Sequence, residues 1–370
     1  MTTLVSARTH GGNPWKLMRE HGLTRRQILD FSLDVNPLGF PEIVRSAILD
    51  HVEDLARYPD PDALALREAI ANYHQVPWET ILPGNGSAEL IPLVTRLRPG
   101  ATVLVVVPTF TEYAWAAEQD GATVVSHPLD EACGFQPDGS AEGWAERLRG
   151  VDLVFLCNPN NPTGVALSTD DLLWVADRCR ARGCLLVVDE AYVEFTDRPQ
   201  DITVLPEAPR HDHLIVLRSL TKPFAVPGLR LGYLVASGSL VERLRAMQQP
   251  WPLNTFAITV GTELLKQEDY LARSQQLLRA LRPAAVGALA AIPGLKPFPT
   301  AANFALCRIE RPTITSDQLT QRLAGQGLLI RNCDSVPGLE PGRFIRLAIR
   351  RPEENERLYT ALREALRHAG

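Results

Sequence analysis

Lys222 stands in the run Arg218-Ser219-Leu220-Thr221-Lys222-Pro223-Phe224, with Ser219 and Thr221 just before it and Arg230 a few residues after. A lysine amine can form a Schiff base with an aldehyde, and a phosphorylated aldehyde needs an anion anchor nearby, which hydroxyls and a guanidinium supply. Asp189 and Tyr192 follow the apolar run Cys184-Leu185-Leu186-Val187-Val188. A carboxylate at the C-terminal end of a buried strand sits where ligands bind in open α/β sheets, although Asp also suits a plain turn. Asn158-Pro159-Asn160-Asn161-Pro162-Thr163-Gly164 follows another such run and reads as a turn or a ligand loop. Gly84-Asn85-Gly86-Ser87-Ala88-Glu89 opens a helical pattern whose first N–H groups suit an anion, while Ser87 also suits a helix cap. Phe110 follows the run ending at Val107 and suits either a stacking ring or the core.

These groups need a scaffold that brings strand ends together. Strand patterns fall at Thr102–Val107, Ala122–Ser126, Asp152–Cys157, Cys184–Val188, Leu214–Leu217 and Leu231–Val235. Helical spacing intervenes near Ser87–Arg96, Thr111–Gln119, Ala141–Leu148 and Thr169–Arg182, after an earlier helix at Ala63–Tyr73. Nearly continuous Val, Leu and Ile strands alternating with helices predict an α/β fold around a buried, mostly parallel sheet. Residues 240–291 read as helical. A mixed tail follows, with strands at Asn303–Arg308, Leu328–Arg331 and Phe344–Ala348 and helices at Ser316–Ala324 and from Pro352. The expected organisation is an N-terminal segment (1–50) reaching the small domain and the site, a large domain (51–270) and a small α+β domain (271–370).

The bulk numbers narrow the class. A chain of 370 residues with 45% hydrophobic and 22% charged residues can build a sizeable core. A net charge of −5, with the charges interspersed, argues against an electrostatically held nucleic-acid partner. Nothing reads as a membrane span or a signal peptide, so a cytoplasmic location is expected. The six scattered cysteines lack metal-site spacing and read as reduced core thiols.

Taken together, the Lys222, Asp189 and Asn161 segments resemble the pyridoxal-phosphate enzymes of the aspartate aminotransferase fold, fold type I. The resemblance covers nearly the whole chain. It implies pyridoxal 5'-phosphate as cofactor, with Lys222 as its amine, Asp189 at the ring nitrogen, and Tyr192 and Asn161 at the ring oxygen. Ser219, Thr221, Arg230 and the Gly86-Ser87-Ala88 turn would cradle the phosphate, and Phe110 would stack on the ring. Tyr58, in Tyr58-Pro59-Asp60-Pro61, looks like the tyrosine that histidinol-phosphate aminotransferases and their relatives send into the neighbouring subunit's phosphate site, which implies a homodimer with shared sites. Arg346, in Phe344-Ile345-Arg346-Leu347-Ala348, resembles the arginine that grips the substrate α-carboxylate.

Within this group, five segments resemble the threonine-phosphate decarboxylases of cobalamin biosynthesis. They are His10-Gly11-Gly12-Asn13, the run Phe31 to Gly39, Arg218 to Lys222, Gln249-Pro250-Trp251, and Leu329-Ile330-Arg331-Asn332-Cys333. Those enzymes convert L-threonine O-3-phosphate to (R)-1-amino-2-propanol O-2-phosphate and carbon dioxide. Two departures stand out: Leu33-Asp34 replaces small or amide residues, and Pro223 stands where an aromatic is common. Both bear on pocket shape. A substrate with a carboxylate and a phosphate needs two cationic sites; Arg346 suits the first, and Arg331 and His10, with Asn36 as an orienting donor, suit the second. The same residues fit a histidinol-phosphate aminotransferase. A cofactor-sensing regulator would need a DNA-binding domain, and no helix-turn-helix pattern precedes residue 60.

Overall fold

A computed structural model describes residues 12–137 and 141–367. The chain begins with α1 (Pro14–His21), the short strand β1 (Leu29–Asp30), α2 (Ile43–Asp50) and α3 (Leu64–His74). It continues through β2 (Ile81–Gly84), α4 (Ser87–Thr95), β3 (Thr102–Val107), α5 (Glu112–Gln119), β4 (Thr123–Pro128) and α6 (Ala141–Arg147). Next come β5 (Leu153–Cys157), α7 (Thr169–Ala181), β6 (Leu185–Asp189), β7 (Leu214–Ser219) and β8 (Gly232–Val235). These strands form one seven-stranded sheet in the order β2-β8-β7-β6-β5-β3-β4.

The uninterrupted apolar runs have a simple cause. Successive residues of a strand face opposite sides of its sheet, and here both sides are covered. Leu104 and Val106 enter one core cluster with Leu186, Val188, Leu214 and Val216. Val103, Val105 and Val107 enter another with Leu185, Val187, Ile215 and Leu217. Each such side chain contributes about 1.5–3 kcal/mol on burial.

Four neighbouring strands, β3, β5, β6 and β7, run parallel, so their C-terminal ends lie along one edge. The strand order reverses between β3 and β5, which opens the crevice where α/β sheets bind ligands. β8 runs antiparallel to both β7 and β2. The expected strand Leu231–Val235 is therefore present but reversed, because a loop without a crossover helix returns the chain beside β7. β2 was not expected. Pro83 and Gly84 weaken its pattern, and the edge of the sheet tolerates them.

The remainder comprises α8 (Gly238–Met247), α9 (Thr255–Leu264), α10 (Glu268–Ala290), β9 (Leu295–Pro297), β10 (Phe304–Ile309), α11 (Ser316–Ala324), β11 (Leu328–Leu329), β12 (Arg331–Asn332), β13 (Phe344–Ala348) and α12 (Pro352–Arg367). Here β12-β13-β10-β9 form an antiparallel sheet with its own apolar cluster around Ile345, Leu347 and Leu362. The N-terminal segment is bonded to this region. β1 pairs with β11, and the Phe31 carbonyl accepts from the Ala348 N–H at 2.8 Å. A few residues on, the Asn36 N–H donates to the Lys222 carbonyl at 3.0 Å. One short stretch thus ties the small sheet to the Lys222 loop.

Among the described residues no helix is long and apolar enough to cross a membrane. Cys179, Cys184, Cys307 and Cys333 are buried thiols, but Cys133 is exposed, so the expectation of core thiols fails there.

Candidate active site

A cavity of about 390 Å³ opens where the strand ends meet the small sheet. At one end β7 delivers Ser219 and the loop after it delivers Thr221, both buried, with their hydroxyl oxygens 2.7 Å apart. Facing them is the turn before α4. Gly86 adopts φ +75°, and a Cβ there would lie 2.9 Å from Arg230 Nη2, so only glycine lets the backbone approach that guanidinium. Ser87 is the first helical residue and makes no side-chain cap, so the capping alternative is not the one realised. Gly86, Ser87, Ala88, Ser219, Thr221 and Arg230 all line the cavity, which makes this end a concave anion site of N–H groups, hydroxyls and one cation.

Asp189 closes β6 on the cavity floor. Its Oδ2 accepts from the Tyr113 hydroxyl at 2.7 Å and its Oδ1 from the Ala191 N–H at 3.1 Å. Burial pushes its carboxyl pKa up, against those bonds and the charge of Lys222. A cationic ring N–H is the partner this carboxylate suits. Phe110, after β3, lines the cavity, and its ring meets Tyr113 edge-on at 5.5 Å between centroids.

The opposite end centres on Asp34. Lys222 Nζ donates to Asp34 Oδ1 at 2.7 Å, and the Tyr192 hydroxyl donates to Oδ2 at 2.5 Å. Arg346 Nη1 lies 2.9 Å from the same Oδ2 and donates to Asn161 Oδ1 at 2.7 Å. Arg346 Nη2 donates to the Ser32 carbonyl at 2.8 Å. Burial works against the Asp34 charge, yet Arg346 and Lys222 outweigh it and hold the carboxyl well below the usual carboxylate range. Arg331 faces Arg346 directly across β12 and β13, and both line the cavity. Burial lowers the Arg331 pKa, and the like charge of Arg346 adds to that. Like charges opposite each other destabilise a sheet, so this pairing suits an anionic ligand.

Two expected residues are described and not brought to the cavity. Asn36 has its amide engaged elsewhere: Nδ2 donates to the Pro223 carbonyl and Ser274 Oγ, both at 2.7 Å, and Oδ1 accepts from the Leu38 N–H. It braces the Lys222 loop, so no donor is left to orient a substrate. Tyr58 is 80% exposed and stacks on Trp251 at 4.7 Å, away from the cavity of its own chain. His10 lies outside the described residues. Asn161 and Tyr192 do line the cavity, but the Tyr192 hydroxyl and the Asn161 carbonyl oxygen are turned toward Asp34 and Arg346. The Leu33-Asp34 departure was read as a change of shape; Asp34 changes the charge of the site instead. Its signal in the sequence is the acid itself.

The residues fit a phosphorylated pyridine aldehyde: a cradle that a Cβ at residue 86 would fill, a buried carboxylate for a ring nitrogen, and an amine on the same cavity. Fold and cavity together define a pyridoxal-phosphate enzyme. Residues 26–362 match the family described as aminotransferase class I and II, and the chain belongs to it. Its cofactor is pyridoxal 5'-phosphate. The chain is 40% identical to the threonine-phosphate decarboxylase of Salmonella typhimurium, over 96% of each chain. It is 35% identical to a histidinol-phosphate aminotransferase of Caldanaerobacter subterraneus subsp. tengcongensis, over 91% of this chain and 93% of the other. The solved histidinol-phosphate aminotransferase of Clostridium acetobutylicum superposes with a TM-score of 0.85 at 30% identity, covering 92% of this chain and all of that one.

Proposed function

We propose that this enzyme decarboxylates L-threonine O-3-phosphate, giving (R)-1-amino-2-propanol O-2-phosphate and carbon dioxide. The observation that carries the reading is the facing pair Arg331 and Arg346, which supplies two cations beside Lys222 for a ligand with two anionic groups. The likeness to the Salmonella typhimurium enzyme supports it.

Ser219, Thr221, Arg230 and the N–H groups of residues 86–88 would hold the cofactor phosphate, Asp189 its ring nitrogen, and Phe110 one ring face. Tyr192 and Asn161 would orient the ring once they exchange their present partners. Bound pyridoxal phosphate supplies an electron sink for the pair released when a bond at the substrate α-carbon breaks. Arg346 would take the substrate carboxylate in its planar fork and Arg331 the substrate phosphate. Binding at these two points would fix the orientation of the substituents on the substrate α-carbon and so select the bond that is broken. With the carboxylate held for reaction, the bond between the α-carbon and the carboxyl carbon would break and carbon dioxide would leave. Lys222 Nζ then delivers a proton to the α-carbon.

Transamination of histidinol phosphate is the second reading, favoured by the 35% identity to such an enzyme. The same cations would serve its amino phosphate and its dicarboxylic partner. Incubation with L-threonine O-3-phosphate, without any keto acid, separates the two. Release of carbon dioxide and the amine phosphate supports the decarboxylase. No release, with glutamate formed from histidinol phosphate and 2-oxoglutarate, replaces it with the aminotransferase.

We further read the chain as a homodimer with shared sites. Tyr58 and its neighbours Leu49 and Leu55 expose their apolar side chains, which suits a second copy that receives the Tyr58 hydroxyl. Sedimentation at micromolar concentration tests this, and a monomer with full activity would overturn it.

A further inference from the structure

Asp34 already occupies the arginine assigned to the substrate carboxylate. Its Oδ2 is 2.9 Å from Arg346 Nη1, and its side chain is only 3% exposed. The residue is held from several sides. Lys222 Nζ and the Tyr192 hydroxyl bind its two oxygens, and Asn303 Nδ2 donates to its main-chain carbonyl at 2.9 Å. Arg346 Nε has no hydrogen-bond partner, but it is buried and offers a ligand no open edge. A ligand carboxylate therefore reaches the guanidinium only by displacing Asp34 from Nη1 or crowding in beside it, and two carboxylates draw on one buried guanidinium.

We propose that Asp34 is a specificity-determining residue that competes with the ligand carboxylate for Arg346. The site then holds a carboxylate-bearing amine phosphate no more firmly than its carboxylate-free counterpart. The inference deepens the decarboxylase reading and rests on it for the identity of the ligand. Repulsion between like charges is strong where water is excluded and little screened by salt. In the site described, that repulsion weighs on the substrate and vanishes when the carboxyl group departs as neutral carbon dioxide. An interaction that is unfavourable before the reaction and relieved during it favours turnover over retention. A neutral amide in place of Asp34 would remove the competing negative charge from beside Arg346.

The test uses cofactor-loaded enzyme and two probes that differ by a single carboxylate, L-phosphoserine and O-phosphoethanolamine. Binding is read from the early change in the cofactor's visible absorbance. The wild type should bind phosphoethanolamine at least as tightly as phosphoserine. Asp34→Asn should tighten phosphoserine by roughly tenfold and leave phosphoethanolamine within about twofold, the selectivity expected when a like-charge contact is removed. Asp34→Ser should act in the same direction. Tighter binding of phosphoserine by the wild type overturns the proposal without any variant. So does an Asn or Ser variant that shifts both probes by the same factor, as a merely structural residue would. Neither arm requires carbon dioxide release, so the decarboxylase reading can fail while this one stands.

Discussion

The two ends of the cavity are built differently. The proposed cofactor end draws on Ser219 at the end of β7, on Thr221, Lys222 and Arg230 from the segment after it, on the Gly86 turn and on Asp189, all set at the edge of a sheet buried on both faces. The substrate end is assembled from distant parts: Ser32 and Arg346, which share a hydrogen bond, are 314 residues apart in sequence. The cofactor end is a cradle of N–H groups and hydroxyls. The substrate end is a balanced cluster of charges in which Asp34 holds Lys222 and Arg346 together. Chemistry common to a whole family can reside in one loop on a rigid sheet. In the proposed reading, the choice of substrate rests on charges that only the finished fold brings together.

Substitutions can break this division or sharpen it. The largest effect is expected at Lys222, which touches both ends: Lys222→Ala should abolish the covalently bound, visible-absorbing cofactor and lower turnover by about a thousandfold or more. A yellow variant without the lysine would remove the central assignment. Arg346→Ala should raise KM by about a hundredfold while the cofactor's absorbance persists, because a cation is lost only from the substrate end and buried Asp34 keeps one partner fewer. Loss of the cofactor as well would show that the two ends are not separable. Arg331→Ala should weaken phosphate-bearing ligands by roughly tenfold and spare carboxylates that lack a phosphate, measured by inhibition.

The smallest effect contrasts the two buried carboxylates by pH. Burial raises the Asp189 pKa in the folded chain, so the folded state favours its protonated form, and that advantage is lost as pH climbs through the folded value. Asp189→Asn should therefore raise the melting temperature of the cofactor-free protein near neutral pH, with the gap closing toward pH ~4, the ordinary carboxylate value. Asp34 has the opposite sign. Arg346 and Lys222 depress its pKa despite burial, so its contribution is present at neutral pH and lost only in strong acid. Asp34→Asn should lower the same melting temperature at neutral pH.

What the sequence disclosed follows the same divide. Ser219, Thr221, Lys222 and Arg230 were legible because their spacing is local, and Asp189 because an apolar strand pointed at it. The parallel core was legible because residues such as Val103 to Val107 leave no polar face. The role of Asp34 was not legible, since its meaning depends on Arg346 and Lys222 arriving from elsewhere. Asn36 looked like a substrate donor in its turn motif, but the Lys222 loop uses up its amide. β2 and β9 are not legible in the sequence, because a short strand containing proline gives almost no periodic signal.

The bond between Ser32 and Arg346 has a consequence for the chain during synthesis. A ribosome releases residue 32 early and residue 346 only after most of the protein has been made, at about 5–20 residues per second. All the cofactor-end residues have emerged by residue 230, whereas Asp34 waits for its second cation until the last part of the chain appears. The segments that carry the proposed phosphate cradle are therefore synthesised roughly a hundred residues before Arg346, so a nascent chain holds the residues of one end of the cavity well before it can assemble the other.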